Sequence, residues 1–519
     1  MRALRLLIVA ALLCTMLPAH AQEAMDELTL RQHMLQATGK PPAQYRKVVS
    51  TVSTRHGTSG RSEFHRGLDY RIIYGSGILR RESGRFEGKN WDRDANGITT
   101  IHQASFAQAK GDIEKVEISR VTQPMDAWRF SQLNSRGFGT IEYVNPTTYL
   151  VMREDTLTPV GNIQTEYSDY RTVQGYTTFY HWVTDNAGDK DHSESHIVSF
   201  EVGHVEDPDL AIPPTKNLVL FPLGQTSVEI PATFYSSQTT FVSSSGHTTG
   251  GQNSGPSHIF IRAAIGAREI DLLLDSGAAG IVLDSRVVHD LGITTIGAGS
   301  VVDARRVDVS HAVIPEIRVG DLSMQNVVVQ TQSFAFDEGS AHVVGLLGYE
   351  FLAGVGLTID YAHRRIIANP AGAFVPPTMT AESDILPLRT GFHWPMVTAM
   401  VNGAVADRVI VDTGAGSDFM LFDYFLRRYP EATNPRVAMR LENRQYRGAG
   451  GAFESQGLRL ADVDIGRYHF KQFDAVAVTS SQSYPWNVDG VIGPGILRHF
   501  TVGFDYAGGK LYMVHNAGQ

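Results

Sequence analysis

The strongest constraint on this chain is that it says the same thing twice. Glu269-Ile-Asp-Leu-Leu-Leu-Asp275-Ser276-Gly277-Ala278 is matched by Asp407-Arg-Val-Ile-Val-Asp412-Thr413-Gly414-Ala415, an offset of 412 - 275 = 137 residues. Each copy is an apolar run, strand-like in its β-branched and aliphatic content, that ends in an aspartate and a glycine turn. Downstream, Gly345-Leu346-Leu347-Gly348 corresponds to Gly490-Val491-Ile492-Gly493, an offset of 493 - 348 = 145. Thr358-Ile-Asp-Tyr361 and Gly503-Phe-Asp-Tyr506 close the two copies. Order is kept and the small length difference is what loops absorb at little cost. The repeat implies two related lobes in one polypeptide.

A single Asp-[Ser/Thr]-Gly-Ala carries little information. It is expected by chance in roughly two of a hundred chains of this length, and a lone copy is more often a turn or a helix cap. Two copies, each after an apolar strand and each followed by an aliphatic pair and glycine, reverse that weighting.

The residue types suit hydrolysis by water. One group must take a proton from water and another must give one to a carbonyl oxygen. Two carboxylates held together do both, because like charges disfavour double ionisation and the pair retains one proton. Asp275 and Asp412 are therefore the candidate catalytic pair, with one acting as general base and the other as general acid. Gly277 and Gly414 let backbone pass close to the carboxylates. The Ser276 and Thr413 hydroxyls are placed to bond across to the opposite loop. Ala278 and Ala415 complete the loops, while Leu346, Leu347 and Gly348, with Val491, Ile492 and Gly493, are expected to pack beneath them.

On these residues the chain resembles the aspartic peptidases. The alanine after each glycine is similar to the retropepsin-like branch, whereas two motifs in one chain resemble the fused, two-lobed pepsin-like arrangement. The resemblance covers about residues 215 to 519. It implies a mainly β fold of two homologous β-barrel lobes about a pseudo-twofold axis, a protein or peptide substrate, no cofactor and no metal. It also makes a monomer sufficient for the site. Tyr349 and Pro494 depart from the viral pattern, which usually has a polar residue after the aliphatic-Gly pair. Arg447-Gly-Ala-Gly-Gly-Ala452 and Val301 to Val307 read as flap tips or as solvent hairpins.

The chain is 519 residues long, too long for one compact core. A formal charge of -9 without a basic block speaks against nucleic acid as a partner. Residues 1–21 read as an export signal: Arg2 and Arg5, then Leu6 to Leu17, then Ala19-His20-Ala21. No later stretch reaches the roughly 20 apolar residues of a membrane span. The single cysteine, Cys14, lies in that signal, so cysteine chemistry is excluded and a periplasmic or secreted location is expected.

Residues 22–212 read as a β-rich domain opened by one helix over 24–39. Strands are expected at Tyr70 to Tyr74, Gly97 to Ile101, Thr148 to Arg153, Ile163 to Tyr170, Tyr176 to Thr184 and His196 to Val202. A helix, successive antiparallel strands and the stretch from Tyr167 to Tyr176 resemble the periplasmic lipoprotein-carrier fold, which implies a curved sheet and a possible lipid or lipoprotein ligand. A spacer or shield is the other reading. The first lobe is placed at 213–380, with a Ser/Gly-rich surface loop at 236–257, and the second at 381–519.

Other signals are set aside. His192-Ser-Glu-Ser-His196 is read as a solvated loop rather than a metal site. Asp271, Asp284 and Asp418 are read as surface or turn residues, and Trp394 and Trp486 as packing. The sequence contains no His-Glu-x-x-His, Gly-x-Ser-x-Gly or P-loop lysine motif. The competing function is a periplasmic lipid- or lipoprotein-binding protein with an inactive peptidase-like half.

Overall fold

A computed structural model describes residues 25–516 apart from 104–114, 135–136, 159–160, 189, 236–239, 243–247, 251–257, 303–305, 335, 339–340, 392, 449–450 and 479–486. The export signal, most of the Ser/Gly-rich loop and Trp486 lie outside the described residues. Within 236–257, Thr240–Val242 and Thr248–Gly250 pair as a short hairpin.

The fold is mainly β. The opening helix, Glu27–Thr38, starts at Asp26, whose side chain accepts from Thr29 N at 2.7 Å, and stops at Gly39 with φ 70°. Its buried Leu30 packs with Phe130 and Val144. A thirteen-stranded antiparallel sheet follows. At its centre Gln44–Ser53 pairs with Gly57–Arg66 on one side and with Asp191–Val202 on the other, and successive hairpins fan outward from both. The edges are Thr99–His102 and Lys115–Val121.

Each of the six expected strands overlaps a strand of this sheet, although 97–98 and 148–150 lie outside the strands Thr99–His102 and Val151–Thr158, and the last is longer than expected. His192 to His196, read as a loop, belongs to Asp191–Val202. His192 lies opposite Asp185 and bonds to its carboxylate at 2.7 Å. Ala187 and Gly188 turn the chain before this strand.

Glu63 is a buried, multiply paired acid in this sheet. It is 5% exposed, with Lys47 Nζ at 2.8 Å, Arg61 Nε at 2.6 Å and His65 Nε2 at 3.3 Å. Burial works to raise its pKa, but the His65 bond and the Lys47 and Arg61 charges outweigh it and bring the value down to about 2. A lowered carboxylate pKa adds stability above the unfolded value, which is lost as pH falls through the folded one. Glu63→Gln is therefore expected to cost about 3 kcal/mol at pH 7. In denaturant titrations the gap to the unsubstituted protein closes between about pH 4.5 and about pH 2.

Beyond residue 213 the strands form ten-, eight- and six-stranded sheets. Arg268–Leu274 lies parallel to Ala341–Leu347, with Leu273 opposite Leu346 and Leu274 opposite Leu347. Val282–Asp284 runs antiparallel to that strand and parallel to Leu322–Gln332. The pairings around Asp412 follow the same scheme. Ala404–Val411 lies parallel to Gly490–Ile492, and Phe419–Phe422 runs antiparallel to that strand and parallel to Tyr468–Val478.

The six-stranded sheet takes three strands from each part. Val355–Asp360 meets Phe500–Asp505 in antiparallel register at its middle, Thr358 opposite Gly503. Val228–Ile230 and Ser383–Pro387 are its two outer strands. One hydrophobic core runs through both parts, from Ile259 and Leu347 to Ile492 and Met513. Among the described residues no helix is long and apolar enough to cross a membrane.

Candidate active site

Each aspartate leaves its strand at a point fixed by the neighbouring aliphatic pair. Asp275 N donates to Leu347 O at 3.1 Å, and Asp412 N to Ile492 O at 2.9 Å. Leu347 and Ile492 face the main core, while Leu346 and Val491 face smaller clusters on the other side of their sheets. Beyond packing beneath the loops, the pairs form the parallel strand partners that set where each loop begins.

Each turn folds back on its own carboxylate. Gly277 N and Ala278 N donate to Asp275 Oδ1 at 2.9 and 3.0 Å, and Gly414 N donates to Asp412 Oδ1 at 2.8 Å. The two loops are then tied together by reciprocal bonds. Ser276 Oγ donates to Val411 O at 2.7 Å and accepts from Thr413 N at 3.0 Å. Thr413 Oγ1 donates to Leu274 O at 2.8 Å and accepts from Ser276 N at 3.1 Å. All four bonds are buried, so each hydroxyl is fully used and neither loop can slide alone.

The result is a pair of neighbouring carboxyls, each over the other's loop. Each carboxyl rests on the opposite glycine. A Cβ on Gly277 would lie 2.6 Å from Asp412 Oδ2, and one on Gly414 would lie 2.6 Å from Asp275 Cγ. Burial, followed by the Asp412 charge, raises the Asp275 pKa well above the usual carboxylate range, and burial raises that of Asp412. The pair titrates as a unit and keeps one proton where separate aspartates would have none.

Aromatic residues frame the pair. Trp394 Nε1 donates to Gly277 O at 2.8 Å, a bond between the two loop systems at a residue that sequence reading assigned to packing. Tyr361, buried, and Tyr506, partly buried, close the two repeated segments near the carboxyls. Burial and then neighbouring charge push both phenols up, so they stay neutral.

Of the nearby acids, Asp284 is no surface residue. It is buried, accepts from Arg286 N at 2.9 Å at the start of Ser285–Asp290, and accepts from Phe334 N at 2.9 Å. Asp271 pairs with Arg262 on the adjacent strand. Neither enters the carboxyl pair. The two proposed flap segments are hairpins, Ile296–Val302 with Arg306–Val319 and Ala438–Gly448 with Gly451–Ile465. Their tips, 303–305 and 449–450, lie outside the described residues.

Residues 261–351 match the family described as aspartyl protease. Among solved structures, a retropepsin-like aspartic protease from Rickettsia conorii is 20% identical, covering 21% of this chain and 88% of its own, with a TM-score of 0.17. Basic 7S globulin from soybean is 11% identical over 56% of this chain and 94% of its own, TM-score 0.32. A LolA superfamily protein from Nitrosomonas europaea is 8% identical over 36% of this chain and 98% of its own, TM-score 0.28. No curated protein matches the chain.

Proposed function

We propose that this protein is an exported aspartic endopeptidase of two homologous lobes, 213–380 and 381–519, in which Asp275 and Asp412 activate a water molecule between them. The observation that carries the reading is the pair of carboxyls, each lying over the opposite loop's glycine, on loops held by four buried bonds through Ser276 and Thr413.

The ionised carboxylate takes a proton from the water as its oxygen attacks the peptide carbonyl. The protonated one gives its proton to the carbonyl oxygen, leaving a neutral tetrahedral diol. Proton transfer to the nitrogen and collapse of the diol then break the C–N bond, and the pair again holds one proton. Fixed N–H donors from Gly277, Ala278 and Gly414 meet the charge without reorganisation. An extended peptide lies between the lobes, pairing with hairpin edges. Residues 1–21 direct export to the periplasm or the exterior, and the 22–212 domain restrains or presents substrate. A lipid- or lipoprotein-binding protein with an inactive peptidase-like half would not need the carboxyl pair and its cross-bonds kept intact, and this favours the enzyme.

The pH profile of kcat/KM on an unfolded protein substrate tests the reading. The rate falls on the acid side as the second carboxyl is protonated, and on the alkaline side as the pair loses its one proton. Because burial and mutual repulsion raise that last loss, the alkaline limb lies well above the ordinary aspartate range. A rate independent of pH from acid to neutral, or no cleavage at any pH, would refute it.

A further inference from the structure

The loop that carries Asp275 is held from outside its own lobe. Glu350, two residues past Gly348, accepts from Ile281 N at 2.8 Å through Oε2. Its other oxygen accepts from Asn96 Nδ2 at 2.7 Å, and Asn96 belongs to the amino-terminal domain. Asn96 is 4% exposed and is fully engaged. It donates to Val328 O at 2.9 Å and accepts from Val328 N at 2.8 Å, completing the strand next to the loop. The turn presenting it is fixed by Asp94 Oδ1, which accepts from Ile98 N at 2.8 Å.

The second loop fills the matching space differently. Asp418 stands as far beyond Asp412 as Ile281 stands beyond Asp275, since 418 - 412 = 281 - 275 = 6. The residue matching Glu350 is Gly495, since 495 - 493 = 350 - 348 = 2. A Cβ on Gly495 would lie 1.6 Å from Asp418 Oδ1, so the Asp418 carboxylate fills the space that a side chain at 495 would occupy. In the first lobe the exchange is reversed. Gly280 leaves the loop bare, and a Cβ there would lie 2.7 Å from Glu350 Cδ. Each loop thus packs against a carboxyl group, and that of the first lobe is shared with the amino-terminal domain.

We propose that Glu350 is a positioning residue for the Asp275 loop and that Asn96 completes its support, which makes the amino-terminal domain a permanent part of the active site and not a segment removed for activation. The proposal rests on the peptidase reading for its kinetic consequence, although the anchoring itself does not. Burial, and then the charge of Asp94, raise the Glu350 pKa to about 8, while the Ile281 and Asn96 bonds pull it the other way. Other contacts keep the domain in place. Thr100 Oγ1 meets Tyr349 Oη at 2.9 Å, and Thr390 of the second lobe bonds to Ile101 O at 3.1 Å.

The test uses the full chain with Asn96→Ala, Glu350→Ala and, as a control at a contact remote from Ile281, Thr390→Val. Hydrolysis and amide exchange at Ile281 are both measured. The first two variants are expected to lower kcat about 10-fold or more with KM within about twofold, and to speed Ile281 exchange about 10-fold. The control should leave both within about twofold. If Glu350→Ala does not fold, the isosteric Glu350→Gln carries the test with the same expected direction, since its amide turns a donor toward one of the two N–H groups. Unchanged kcat and unchanged Ile281 exchange in a folded variant would overturn the proposal. Faster exchange in a protein that never cleaves peptide would uphold the anchoring and refute only the peptidase reading.

Discussion

Asp275→Asn and Asp412→Asn are each expected to lower kcat on the order of 10⁴-fold while leaving the fold intact. An amide cannot serve as the base, and it cannot release a proton as the acid. Both roles are needed in one cycle, so the double substitution should be little worse than either single one. Stability should move the other way. The Asp275 pKa is raised by burial and then by Asp412, so the native state binds its proton more tightly than the unfolded chain does. Stability from such a group is present in full below the unfolded value of 3.8 and is lost as pH rises through the native one. Asparagine carries no such penalty, so Asp275→Asn should melt at a higher temperature than the parent at neutral pH, with the difference shrinking in acid. Thermal melts at pH 7 and pH 3.5, run beside the assay, separate loss of chemistry from loss of fold. Parental activity in either variant would end the assignment.

Gly277→Ala and Gly414→Ala should be nearly as damaging, for a steric reason. Each new methyl would sit 2.6 Å from the opposite carboxyl group, inside any real carbon–oxygen contact. The carboxyl could yield only by leaving its partner, because Ser276 and Thr413 hold both loops through buried backbone bonds. A displacement near 1 Å between reacting groups costs on the order of 10²-fold in rate. A crystal structure of Gly414→Ala is expected to have Asp275 turned away from Asp412, with kcat reduced and KM little changed. Activity within twofold of the parent would mean that the carboxyls do not work in contact.

The local chemistry of the site was legible because it is written in short, contiguous runs. Asp275 to Ala278 and Asp412 to Ala415 each fold back on themselves, and their hydroxyls have few places to go. The supports that come from distant chain were not legible. Glu350 reads as one acid on a short helix, and Asn96 as a turn residue. Nothing in either neighbourhood indicates that 350 - 96 = 254 residues of chain are closed to make one bond. Trp394 is similar: an indole before an apolar strand reads as packing until its N–H is found on Gly277 O. His192 to His196 went the other way, because charged and polar residues in a two-sided sheet lack the alternation that marks a half-buried strand.

The most direct measurement is a crystal structure with a peptide in which a secondary hydroxyl replaces the scissile carbonyl. The hydroxyl stands where the attacking water would be. It should lie within hydrogen-bonding distance of both Asp275 and Asp412, with the peptide extended between the lobes. A peptide seated elsewhere, or a hydroxyl bonded to neither carboxyl, would contradict the account.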